Sequence, residues 1–115
     1  MIEYYNLLWG KEEEELEVIG EIQYDTEKDK FSAQLLDGVK EFPTLLFGIF
    51  AQGKVADDRK VRDYIGSCVI SKNIPNLQEA LEWMGFKEYN QWEIYKYNYG
   101  KNNNDKARIR LREVK

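Results

Sequence analysis

Between Leu16 and Tyr24 the chain alternates: Leu16, Val18, Ile22 and Tyr24 sit at even positions, with Glu17, Glu21 and Gln23 between them. A period of two is the mark of a strand with one face buried. Gly20 breaks the alternation and marks a candidate bulge. The polar run Asp25-Thr26-Glu27-Lys28-Asp29-Lys30 reads as a turn, after which Phe31, Ala33 and Leu35 resume the alternation, so the two segments predict a hairpin. Ile2 to Trp9, rich in Tyr and Leu and followed by Gly10 and Lys11, predicts another strand.

The period then changes. Pro43 suits a helix start and Gly53 its stop, with Leu45, Leu46, Ile49 and Phe50 on one face. Asp57 or Asp58 caps a second helix that carries Val61, Tyr64, Ile65 and Cys68 at helical spacing. After Pro75, Asn76 with Glu79 forms a capping-box pattern ahead of Leu77, Ala80, Leu81 and Met84, and Gly85 ends that segment. Asn90 with Glu93 repeats the start signal, and this segment runs through Ile94 and Tyr97 to Gly100. Beyond the polar run 101–105, Ala107 to Arg112 alternates again and predicts a last strand. The expected fold is α+β in one small domain spanning 1–115: an N-terminal antiparallel hairpin or meander, a helical middle and a C-terminal strand.

Composition narrows the function classes. The 115 residues contain no histidine, the usual proton shuttle and commonest metal ligand. Triads built on histidine and zinc sites built on imidazole are thereby excluded. No Walker loop, dinucleotide fingerprint or Cys-x-x-Cys pair occurs. We therefore expect no enzyme, no metal and no cofactor. One cysteine permits no internal disulfide, which fits a reducing cytoplasm. No apolar stretch approaches a bilayer span, and no secretory signal pattern opens the chain, so no membrane association is expected.

The net charge of −4 is unevenly spread. Residues 1–50 hold twelve acidic and four basic side chains, a net −8, whereas 51–115 hold nine and thirteen, a net +4. Three Trp, eight Tyr and five Phe give an aromatic excess suited to contact surfaces.

Three constellations are candidates. Trp92, Tyr95 and Tyr99 share a helical face at i, i+3 and i+7, which reads either as core or as a partner-binding surface. The run Glu12, Glu13, Glu14 and Glu15 reads either as a solvated turn or as an acidic patch that steers a partner with a basic groove. Arg108, Arg110 and Arg112 alternate on the last strand. They read as partners for Glu15, Glu17 and Glu21 on a neighbouring strand, or as a nucleic-acid-binding stripe with aromatic side chains nearby. Cys68, among apolar neighbours, reads as a buried small hydrophobe rather than a nucleophile. Asp57 and Asp58 read as a helix cap rather than an acid/base pair.

Asn73-Ile74-Pro75-Asn76-Leu77, Ala80-Leu81, Gly85-Phe86, Gly100 and the run from Asp105 to Ile109 together resemble, over about residues 42–111, the small α+β module associated with HipA-like proteins. That module tends to place Arg and Pro ahead of its helix, where this chain has Cys68 and Ser71. No Gly-rich nucleotide loop or His-Arg-Asp motif is present, so the resemblance implies a fold without the kinase part. The expected function is non-catalytic binding to another protein, as an adaptor or a small inhibitor of the phage or mobile-element type. The alternative is a nucleic-acid-binding accessory protein using the C-terminal arginines. An exposed aromatic surface also suits a homodimer.

Overall fold

The alternating segments assemble into one antiparallel sheet. The structure is a computed structural model that describes residues 1–10, 12–43, 46–50, 53–101 and 109–114. Strands β1 (Ile2–Trp9), β2 (Glu17–Asp25), β3 (Lys30–Leu35), β4 (Val55–Ala56) and β5 (Ile109–Glu113) lie in the order β4-β3-β2-β1-β5. The first three form the predicted meander. β5 returns to the far edge and pairs with β1, Leu111 opposite Leu7. The two-residue strand β4 had no sequence signal, because a strand of that length has no period to read.

The bulge falls one residue before Gly20. Leu7 pairs with Gly20 and Leu8 with Val18, so Ile19 is the extra residue. An extra residue flips the side-chain alternation. Ile19 thus joins the core and Val18 moves to the opposite face and is exposed, contrary to the even-position reading. Gly20 suits its place, since a Cβ there would lie 2.8 Å from the Gln34 carbonyl oxygen on β3.

Helices α1 (Phe47–Phe50), α2 (Asp58–Cys68), α3 (Leu77–Met84) and α4 (Gln91–Tyr97) follow the predicted order. Described residues of α1 and its approach, Leu46, Ile49 and Phe50, are buried as expected, while Leu45 lies outside the described residues. Asp57 caps α2, its side chain accepting from the Lys60 N–H at 3.1 Å. Asn90 caps α4, accepting from the Glu93 N–H at 3.0 Å. Asn76 precedes α3 without a side-chain cap bond, so the predicted capping box is not formed there. α3 instead ends in a Schellman motif: Phe86 N–H reaches the Leu81 carbonyl and Gly85 N–H reaches the Glu82 carbonyl, with Gly85 at φ 85°.

All four helices contribute to a single core cluster with one sheet face. Tyr5, Leu7, Ile22, Phe31, Ala33, Leu35, Ile109 and Leu111 meet Ile49, Val61, Ile65, Leu81, Trp92 and Ile94. This is a two-layer α+β arrangement. Near each sheet edge a strand donor is taken up by another element. Where β4 stops, the Asp58 carboxylate accepts the Phe31 N–H at 2.9 Å. At the other edge the Tyr99 carbonyl accepts the Leu111 N–H at 2.7 Å. Unpaired edges invite strand addition, and these two contacts occupy donors that would otherwise offer it.

Candidate binding surfaces

Helix α4 divides the aromatic stripe. Trp92 packs among Tyr5, Tyr24 and Phe31, with ring centroids 5.0–5.9 Å away, and stacks on Tyr95 at 6.1 Å. Tyr95 is fully buried and meets Tyr64 of α2 at 6.1 Å. Both Trp92 and Tyr95 are core residues. Tyr99 behaves otherwise, because the helix stops at Tyr97 and Tyr99 leaves its face.

Tyr99 takes the left-handed position that glycine normally fills after a helix. Its φ is 56°; its N–H reaches the Lys96 carbonyl, and Gly100 N–H reaches the Tyr95 carbonyl. These are the two bonds of a Schellman motif with tyrosine in the glycine place. Gly100 follows at φ 77°, and a Cβ there would meet the Leu111 N at 2.7 Å, so glycine is required one residue later. The Tyr99 side chain is 70% exposed. A left-handed conformation disfavours an L-residue by about 1–2 kcal/mol.

Beside Tyr99 lies a cleft of about 790 Å³ lined in part by Tyr97, Phe86, Lys96, Arg112 and Glu113. Phe86 and Tyr97 meet edge to face at 5.9 Å, and Tyr97 is 48% exposed. The floor holds Tyr5, whose phenol is pushed up to about 12 by burial and by Glu3, Glu113 and Glu93 around it. Acidic groups thus surround this cleft together with the basic ones.

Arg110 and Arg112 share one face of β5, the first buried and the second exposed. Arg108 lies outside the described residues. Arg110, 8% exposed, sits opposite Leu8 and donates to the Ile109 carbonyl. Arg112 is exposed opposite Asn6. Because β1 separates β5 from β2, Arg110 and Arg112 do not stand on a strand adjacent to Glu17 and Glu21, contrary to the pairing reading; Glu21 is one strand further on, opposite Asn6.

The acidic run forms a 3-10 turn, Glu13–Glu15, between β1 and β2. Glu12, Glu14 and Glu15 are exposed, and Glu14 and Glu15 line a shallow groove with Glu17, Glu41 and Lys40. This is an acidic surface remote in sequence from α4.

Asp58 and Cys68 have structural surroundings. Besides the Phe31 N–H, Asp58 takes both oxygens' bonds from Arg62 Nε at 2.9 and 3.0 Å. Arg62 also donates to the Asp29 carbonyl and carboxylate in the hairpin turn, and Tyr24 OH donates to the same carboxylate at 2.7 Å. Tyr24 and Arg62 hold Asp29 below its ordinary value. Desolvation raises Asp58, but the Phe31 N–H and Arg62 outweigh it and the net shift is downward. The cluster ties the β2–β3 turn to α2 and borders a second cleft, about 690 Å³, with Lys72, Gln91 and Trp92 on other walls. Cys68 is fully buried, and burial pushes its thiol up despite Tyr64 and Ser67 beside it.

One residue escaped the sequence reading. Trp83 on α3 is 86% exposed, although tryptophan is highly buried on average. Its signal was available: Leu77, Ala80, Leu81 and Met84 define the apolar face of α3, and a tryptophan off that face has no core to enter. No described helix is long and apolar enough to cross a membrane. Comparison with family models, with curated proteins and with solved structures finds no match for the chain.

Proposed function

We propose that the chain is a non-catalytic protein-binding module, an adaptor or small inhibitor acting in the cytoplasm, with Tyr99 and Tyr97 at the centre of its contact surface. The observation that carries this reading is the strained, exposed Tyr99. Its backbone tasks, the helix cap and the bond from Leu111, need no side chain and suit glycine better. The tyrosine side chain therefore has its use outside the folded chain, and strain held at an exposed position is characteristic of contact sites. Tyrosine combines a large apolar area with a polar tip and is enriched at binding hot spots. The exposed Trp83 supports the same reading, and the Glu12–Glu15 turn adds a field that attracts a basic partner. Kinship with the HipA-associated module belongs to this proposal; the order of α3, its Gly85-Phe86 stop and the returning β5 support it.

The test is affinity capture with the wild type and with Tyr97→Ser/Tyr99→Ser, followed by titration of the purified partner. A tenfold or greater loss of affinity in the folded variant is expected, since two hot-spot tyrosines are each worth about 1–2 kcal/mol. Equal affinity overturns the proposal. The nucleic-acid alternative rests on exposed Arg112 beside Tyr97 and Tyr99. A salt-sensitive mass shift with a mixed DNA/RNA pool, lost in Arg112→Ser, is the result that favours it.

A further inference from the structure

The helices cover one face of the sheet, and the opposite face holds an ordered pattern. Residues opposite one another in register share a face. Across the uncovered side run three rows: Ile2, Asp25 and Lys30; Tyr4, Gln23 and Ser32; and Arg112, Asn6, Glu21, Gln34 and Val55. Val114 adjoins Tyr4, its N–H donating to the Tyr4 carbonyl at 2.9 Å. Ile2, Tyr4 and Val114 are exposed large apolar side chains at one end. Cover resumes at the next row, where Leu8 and Arg110 are buried.

We propose that this face binds a second copy of the chain, as a weak two-fold dimer with its axis along β1. The argument is charge complementarity. Arg112 and Glu21 flank Asn6 on either side, each one strand spacing away, so they stand about 10 Å apart. Neither forms an ion pair among the described residues; Glu21 accepts only from Gln23, at 2.7 Å. A two-fold axis over β1 exchanges the positions of β5 and β2. Arg112 then lies over the partner subunit's Glu21, Glu21 over the partner subunit's Arg112, and Tyr4 meets its own symmetry mate. An isologous interface has to be complementary to itself, which this pattern satisfies. A nucleic acid is a poor occupant, because Glu21 and Asp25 repel phosphate.

The size of the overlap sets the strength. β5, β1 and β2 of each copy face each other over roughly 14 Å by 20 Å, which buries less than the about 1,200 Å² typical of stable complexes. The dimer is transient and forms in the micromolar range. Arg112 also lines the cleft beside Tyr97 and Tyr99, whereas Glu21 does not, so Glu21→Arg tests this face apart from the Tyr99 surface.

Sedimentation velocity from about 1 to 200 µM spans that range. The wild type is expected to gain mass with concentration. Arg112→Glu and Glu21→Arg, each checked for folding by circular dichroism, are each expected to weaken association at least tenfold. An equimolar mixture of the two is expected to restore it, because both cross-pairs become complementary in the heterodimer. A wild type that stays monomeric throughout overturns the proposal without reference to either variant. So do single variants that associate like the wild type, or a mixture that fails to associate.

Discussion

Replacing Asp58 with alanine removes the contact that holds the hairpin to α2. The carboxylate accepts the partly buried Phe31 N–H at 2.9 Å, binds Arg62 at 2.9 and 3.0 Å, and lies 4.0 Å from Lys30. A hydrogen bond between a backbone donor and a charged acceptor contributes about 1.5–3 kcal/mol. The Arg62 side chain is 41% exposed, so its ion pair adds only about 0.5 kcal/mol after screening. An acid in the first turn of a helix adds about 0.5 kcal/mol more. The expected loss for Asp58→Ala is about 3 kcal/mol at neutral pH, and for Asp58→Asn about 1 kcal/mol, since the amide oxygen still accepts from Phe31. Because the folded carboxyl sits below its ordinary 3.8, the contribution is complete above that value and is lost as pH falls through the folded value. The gap between wild type and Asp58→Ala therefore narrows from pH 7 to pH 3. Urea unfolding at both pH values, followed by far-ultraviolet circular dichroism, measures both quantities. A loss below about 1 kcal/mol for alanine at pH 7, or a gap that widens in acid, refutes the reasoning.

Other expectations follow from local geometry. Cys68 is buried with its thiol pushed up, so an Ellman-type reagent should react at least about a thousandfold more slowly than with a free thiol in native buffer, and at the full rate in urea; rapid native labelling contradicts this. Gly85→Ala at φ 85° meets nothing within 4 Å and should cost about 1 kcal/mol. Gly100→Ala at φ 77° drives a Cβ against the Leu111 backbone and should cost about 3 kcal/mol, so thermal melts of the pair should separate clearly.

Much of the fold was legible because buried faces impose a period. β1, β2, β3, α2 and α3 lie where alternation, helical spacing and stop residues place them, and α4 starts where Asn90 places it. What escaped depends on contacts distant in sequence. Ile19 and Val18 exchange faces through the bulge, and only the register against β1 reveals it. The partner of β5 is likewise a matter of topology, so reading Arg112 against Glu21 on an adjacent strand misplaced it by one strand. The α4 stripe was half right. Trp92 and Tyr95 share a face, but helical spacing was carried two residues past Tyr97, where Gly100 packs against Leu111 and turns the chain left-handed at Tyr99. The same break that spoils the stripe is what leaves Tyr99 exposed.

Tyr99→Gly reports on stability and binding at once, and no other substitution bears so directly on the proposed function. If the tyrosine is held in a left-handed backbone for the sake of an outside contact, glycine should raise the urea unfolding free energy by about 1 kcal/mol and weaken partner binding at least tenfold. A variant that is less stable than wild type, or one that binds the partner equally well, contradicts the account.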